Sequence, residues 1–271
     1  MAAVVTLLAL AGCGEADRPE FEAGSTMARL QAADRIVVGV KFDQPGVGFR
    51  NPATGRPEGF DIEMAKIVAS ALGLSTGDIE WVQTVSADRE TFLENGRVDV
   101  VLASYSITPD RRRRVGQAGP YYQTGQRILV RKGNTAIDGP EDLAGAAVCS
   151  VKDSTSLETA RTEFGAKPVP VATYTECVQR LLAGTVDAVT TDDAVLVGYA
   201  RKQPDKLQVV GQSFHEERYG IGYRKGDTEF CRFLTATIAA AQRDGRWQRA
   251  FDDTLGQVGV ASPNPPAPES C

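Results

Sequence analysis

The sequence predicts an α/β fold of two similar lobes around a shared cleft. Two observations lead there. Short apolar runs alternate with segments whose apolar residues recur at helical spacing, the pattern of α/β chains. The string Asn95-Gly96-Arg97-Val98-Asp99-Val100-Val101 also returns as Ala183-Gly184-Thr185-Val186-Asp187-Ala188-Val189, each time a helix end, a glycine, and Val-Asp leading into a buried strand. Both predicted strands run into polar segments, Ser104-Tyr105-Ser106 and Thr190-Thr191-Asp192. Ligands of open α/β sheets bind at such strand carboxyl ends.

In chain order, Ile36 to Val40 reads as a buried strand. Residues 60–72 place Ile62, Ala65, Val68, Ala69 and Leu72 on one helical face, and Gly73 stops that helix. A strand is expected over 79–85, a helix over 88–95 closed by Asn95-Gly96, and a buried strand over 98–103. Thr108-Pro109 opens a short helix, Thr being a good N-cap and Pro fitting the first turn. A strand over 127–130 precedes the second series: a strand at 146–151, a capping box at Thr155 to Glu158, another at Thr173 to Glu176, a strand at 187–191 and a helix after Asp192. Strands at 207–210 and 219–224 and helices at 228–244 and 246–255 close the fold, followed by a Pro-rich tail over 259–271.

The chain has 271 residues, 42% hydrophobic and 24% charged, a globular balance that excludes collagen-like and largely disordered classes. The net charge of -5 leaves no electrostatic footprint for a nucleic acid. With one histidine, His215, a histidine-rich metal site is excluded, and that residue is read as structural. No Gly-rich phosphate motif follows a strand, and neither a cofactor nor a metal is expected.

Ala2 to Gly12 is an uncharged run, the length of a signal-peptide core and too short to span a bilayer. It ends Leu10-Ala11-Gly12-Cys13, which resembles a bacterial lipobox. Residues 1–13 are therefore expected to be a lipoprotein signal with Cys13 as the lipidated residue, and 14–33 a flexible tether. Export favours disulfides among Cys149, Cys177, Cys231 and Cys271, and four cysteines leave three pairings open. A Cys149–Cys177 bridge would lie within one lobe, and the other pair would pin the tail to a helix.

Gly59 to Leu72 (GFDIEMAKIVASAL) matches the signature of the polar-amino-acid family of bacterial extracellular solute-binding proteins, and Ser104 to Tyr122 resembles its second landmark, departing at Gly116-Gln117, where the family has an acid-aromatic pair. Val38 to Asn51 (VGVKFDQPGVGFRN) is similar to the opening of actinobacterial glutamate-binding lipoproteins of ABC importers. The resemblance implies a two-lobed, type II periplasmic-binding-protein-like fold with two crossovers and hinge closure over an amino acid. Lobe one would be 34–125 plus 215–258 and lobe two 126–214. A monomer is expected, lipid-anchored at the outer face of the cell membrane, delivering to an ABC permease and its ATPase.

An amino-acid site must hold a carboxylate and an ammonium. Arg111, at the family's ligand position, would grip the α-carboxylate with its planar fork, helped by Ser104 and Ser106. Ser154, Thr155 and Ser156, at a helix start, would donate to the same group. Asp192 would accept from the ammonium or merely cap the next helix. In relatives that bind acidic amino acids, the positions matching Lys41 and Arg89 are basic and hold the distal carboxylate. The resemblance therefore implies L-glutamate first, L-aspartate next, and glutamine or asparagine as weaker ligands. Two alternatives stay open: a sensor of the same fold that signals to a membrane partner, and a cyclohexadienyl-dehydratase-like enzyme. The latter needs a general acid that the named positions do not offer.

Overall fold

The computed structural model describes residues 18–271, so the expected lipobox and Cys13 lie outside the described residues. The expected tether over 14–33 is corrected along much of its length. Helix α1 (Thr26–Ala32) is capped by the Ser25 hydroxyl, which accepts from the Ala28 N–H at 3.1 Å, and it buries Met27 and Leu30. Upstream, Phe21 packs edge-on against Phe233, 5.6 Å between ring centroids. Two apolar residues three apart and one aromatic suffice to dock the segment, a pattern too brief to stand out as periodicity.

Strand β1 (Ile36–Val40) is buried along its length and leads into a small antiparallel sheet of β2 (Asp43–Gln44), β3 (Gly48–Arg50) and β4 (Pro57–Glu58). These three short strands carry no alternation, and the sequence reading has no counterpart for them. Helix α2 (Phe60–Ala71) starts after Gly59, whose φ is 122° and where a Cβ would sit 2.4 Å from the Val47 carbonyl oxygen. Only glycine fits there. Strand β5 (Ile79–Gln83), helix α3 (Arg89–Glu94), strand β6 (Val100–Leu102) and helix α4 (Pro109–Arg114) complete the first series, with the Thr108 hydroxyl capping α4 as expected. Of the four consecutive arginines, Arg112, Arg113 and Arg114 lie at the surface in ion pairs with Glu269, Asp110 and Glu94.

Strand β7 (Gly116–Arg131) has 16 residues where the sequence suggested four. Its first part pairs with a returning strand, β12, and its last part with β10 and β11. Composition hides this, because Gly, Gln and Tyr dominate 116–126. The second series is β8 (Ala147–Val151), α5 (Thr155–Thr162), β9 (Lys167–Val171), α6 (Tyr174–Leu182), β10 (Ala188–Asp192), α7 (Asp193–Lys202) and β11 (Leu207–Val210). β9 (KPVPV) escaped the sequence reading because of its two prolines, which an edge strand tolerates. Strand β12 (Glu216–Tyr223) then re-enters lobe one, covered by α8 (Thr228–Arg243) and α9 (Arg246–Asp252).

The main strands run in the order β5-β1-β6-β12-β7-β10-β8-β9, with β11 also on β7. Strand β7 is thus shared by both lobes, and the chain crosses between them twice, along β7 and between β11 and β12. Gln126 ties the crossings together. Its N–H donates to the His215 carbonyl (2.8 Å) and its carbonyl accepts from the Phe214 N–H (3.1 Å). Its buried side chain donates to the Ser156 carbonyl and the Thr190 hydroxyl, both at 2.9 Å. Beneath the crossing, Phe60 meets Tyr122 and Trp247 edge-on, and the Trp247 indole donates to the Tyr121 carbonyl at 2.7 Å. The disulfides are Cys149–Cys177, joining β8 to α6, and Cys231–Cys271, joining α8 to the tail. The Pro-rich tail is held further by Glu269, whose carboxylate meets Arg112 and Arg218 and whose N–H donates to the Gly119 carbonyl at 2.8 Å.

Candidate functional site

Between the lobes lies a narrow gap lined by Arg89, Ser104, Ser106 and Arg111 from lobe one and by Ser154, Thr155, Ser156 and Asp192 from lobe two. Eight of the nine residues singled out for ligand contact therefore meet in one place. The ninth, Lys41, stands one layer back: its ammonium is buried and donates at 2.9 Å to the hydroxyl of Ser86, which lines the gap. Ser86, Tyr174 and Thr191 also line it and were not foreseen.

On the lobe-one side, Ser104 follows β6 with a φ of 43°, a left-handed backbone uncommon for serine. Asp61, at the start of α2, holds it there. One carboxylate oxygen accepts from the Ser104 N–H at 2.8 Å and the other from the Tyr121 hydroxyl at 2.6 Å. Burial raises the Asp61 carboxyl to about 6 while these two bonds pull the other way. Asp61 had a legible signal, since it falls on the same helical stripe as Ala65, Val68 and Leu72, where a charge needs a partner. Gln117, at the departure from the family pattern, braces the next stretch by donating to the Ser106 carbonyl (3.1 Å) and accepting from the Thr108 N–H (3.2 Å).

Arg89 is fully buried at the start of α3. Its Nε donates to the Ser86 carbonyl and its Nη1 is shared between the Ala103 and Ser104 carbonyls, each at 3.2 Å. A role as free anchor for a distal carboxylate is thus narrowed, because Nε and Nη1 are engaged by backbone. Arg111 projects from α4. Nη1 donates to the Ser106 carbonyl (2.7 Å), Nη2 to the Asp153 carbonyl of lobe two (3.2 Å), and Nε lies 3.4 Å from Glu90. One N–H remains on each terminal nitrogen, the pair that a carboxylate fork needs. Both guanidinium groups approach the Tyr105 ring, at 4.5 and 5.1 Å from its centroid. The Tyr105 hydroxyl in turn donates to Glu90 at 2.7 Å.

On the lobe-two side, the Ser154 hydroxyl caps α5 by accepting from the Leu157 N–H (3.1 Å) and lies 3.2 Å from the Ser150 hydroxyl. Ser150 in turn is 3.3 Å from the Tyr174 hydroxyl. As first-turn residues, Thr155 and Ser156 have N–H groups without intrahelical acceptors. Asp192 ends β10, opposite Gln126. One of its oxygens accepts from the Tyr219 hydroxyl, while Oδ1 is buried with no hydrogen-bond partner among the described residues. Its side chain makes no capping bond to α7, so the capping alternative is not what this structure shows.

The electrostatics are unbalanced. Burial, and then repulsion from Arg89, lowers the Lys41 ammonium from 10.5 to about 7. Burial, and then repulsion from Arg111, lowers Arg89 to about 10. Burial, and then repulsion from Glu217, raises the Asp192 carboxyl well above the usual range. A bound anion beside the cations and a cation beside Asp192 would relieve each strain. Among the described residues no cluster of three His, Cys, Asp or Glu side chains could hold a metal ion. His215 stays at the crossover, outside the gap.

Residues 36–257 match the family described as bacterial extracellular solute-binding proteins, family 3. The chain is similar to the glutamate-binding protein GluB of Corynebacterium efficiens, 36% identical over 94% of this chain and 89% of that one. It is also similar to the ABC transporter glutamine-binding protein GlnH of Bacillus subtilis, 34% identical over 91% of each chain. A solved ancestral arginine-binding protein bound to glutamine has the same two-lobed fold, with a TM-score of 0.77 and 32% identity over 82% of this chain and 98% of that one.

Proposed function

The chain belongs to the bacterial extracellular solute-binding proteins of family 3, and from that premise we propose that it captures an acidic amino acid, L-glutamate first and L-aspartate next, for an ABC importer. At the coarser level it is an amino-acid-binding protein and not an enzyme, in keeping with its named relatives. The observation that carries the acidic reading is the grouping of three buried cations, Lys41, Arg89 and Arg111, the first two lowered by burial and then by a neighbouring arginine.

In this reading the α-carboxylate takes the two remaining N–H groups of Arg111 and the first-turn amides of α5. The ammonium meets Asp192 Oδ1. The distal carboxylate turns toward Ser86, behind which Lys41 stands, with Arg89 alongside. Two arginines and a lysine, partly offset by Glu90 and Asp61, on one side and Asp192 on the other favour a ligand with two negative charges and one positive. The expected anchoring through Cys13, delivery to a permease with its ATPase, and a monomeric state belong to the same proposal.

A second reading, glutamine as the preferred ligand, is favoured by one observation: a buried lysine whose ammonium is lowered to about 7 holds its charge weakly and tolerates an amide. A thermal-shift panel of the twenty amino acids, followed by calorimetry on those that respond, separates the readings. Glutamate and aspartate are expected to stabilise most. A response to glutamine with none to glutamate would replace the first reading with the second, and a response only to leucine, histidine or lysine would remove both. Purification from membranes with an ABC permease, rather than with a sensory partner, is the outcome expected of a transport subunit.

A further inference from the structure

Away from the ligand gap, a second seam joins the lobes. Asp43, on β2 of lobe one, places one carboxylate oxygen 2.8 Å from the N–H of Tyr174 and 3.4 Å from that of Thr175, the first two residues of α6 in lobe two. Within lobe two the cap of α6 is Thr173, whose hydroxyl serves only the Glu176 N–H. The other first-turn amides are therefore satisfied from across the cleft. The Asp43 backbone carbonyl also accepts from the Tyr199 hydroxyl on α7, which sits 3.0 Å from the Thr175 hydroxyl. Alongside, Lys202 of α7 lies over the Phe49 ring of β3 at 3.3 Å.

Gly198 of α7 marks how closely the lobes meet. A Cβ there would stand 2.1 Å from the Pro45 carbonyl oxygen, and each of its near neighbours belongs to Pro45 of lobe one. We propose that Asp43 and Gly198 form an interlobe latch: Asp43 caps α6 only when the lobes are together, Gly198 permits that approach, and the latch sets ligand affinity without touching the ligand. It rests on reading the gap as the amino-acid site. Tyr174 links the two places, since its N–H is held by Asp43 and its side chain lines the gap. Affinity scales with the population of the binding-competent arrangement, so bonds that exist only there strengthen binding from a distance.

The test uses Asp43→Ala and Gly198→Ala with L-glutamate and L-glutamine in calorimetry. Losing two bonds to a half-buried carboxylate is expected to weaken binding of both ligands about tenfold, with a smaller difference between them because the Asp43 charge also supports the Lys41 proton. Gly198→Ala is expected to raise the melting temperature of the ligand-free protein, as alanine favours a helix interior over glycine, while weakening ligand binding. Opposite signs on stability and affinity identify interlobe clash rather than misfolding. Hydrogen exchange at the Tyr174 and Thr175 amides, with and without ligand, reads the cap directly and should be faster in Asp43→Ala. Equal exchange at these two amides in both proteins under both conditions overturns the latch, whatever the ligand proves to be. Unchanged affinity in Asp43→Ala, or a loss confined to one ligand, overturns it too. Failure of the unaltered protein to bind glutamate would strike the ligand assignment alone.

Discussion

At the scale of single residues, Lys41 carries the most specific expectations. If it serves the distal carboxylate through Ser86, Lys41→Ala should weaken glutamate binding more than glutamine binding in calorimetry, and equal losses would remove it from that role. A bound anion raises the lysine's affinity for its proton, so glutamate binding should take up a proton near pH 8, and affinity should fall as pH rises through about 7. Lys41→Ala should abolish that decline. For folding the sign is different. A lysine lowered from 10.5 to about 7 destabilises the ligand-free protein fully below pH 7, and the penalty is relieved as pH climbs toward 10.5, so stability rises across that interval. In the proposed site Asp192 meets the ammonium and Arg111 the α-carboxylate of the ligand. Truncating either to alanine should weaken binding well over tenfold, a charge-assisted hydrogen bond being worth about 1.5–3 kcal/mol, while circular dichroism shows the fold intact.

At the scale of elements, the disulfide between β8 and α6 closes a stretch with a sequence separation of 28. Loop entropy puts its contribution at about 3–4 kcal/mol. Replacing both Cys149 and Cys177 by serine should therefore lower the midpoint of denaturant unfolding, with glutamate affinity of the folded fraction little changed because neither sulfur lines the gap. The capping signals at Thr108 and Thr173 were readable because each needs only a residue and its neighbours three positions on, whereas the cap of α5 falls at Ser154, one residue before the expected Thr155. The full length of β7 was not, because its pairing comes from strands some sixty to just over a hundred positions further along the chain. The brevity of its apolar pattern hid α1, and two prolines hid the edge strand β9.

At the scale of the whole molecule, two lobes joined by two crossings would convert binding into closure in the proposed function. A ligand that bridges them stabilises the folded protein by mass action, about 2.7 kcal/mol at a hundred times the dissociation constant. For a chain of this size that is a rise of roughly 5–10 °C in melting temperature. Scanning calorimetry at rising glutamate concentration should show the midpoint climbing continuously, and a midpoint independent of concentration would mean that glutamate does not bind the native state. Anchoring at Cys13 would confine this closure to the membrane surface, where a permease has to meet it.

The α/β alternation, the repeated Val-Asp strand entry, the helix caps and the residue types of the site were written in the sequence itself. They are local, and local preferences need no partner to be read. The fold decided the pairing of four cysteines, the passage of β7 through both lobes, and the seat of Lys41 behind Ser86. It also decided the bracing of Ser104 by Asp61 and the capping of α6 by an aspartate more than a hundred residues earlier. Each of these depends on groups that only packing brings together, and on how deeply packing removes them from water, which no spacing along a chain encodes.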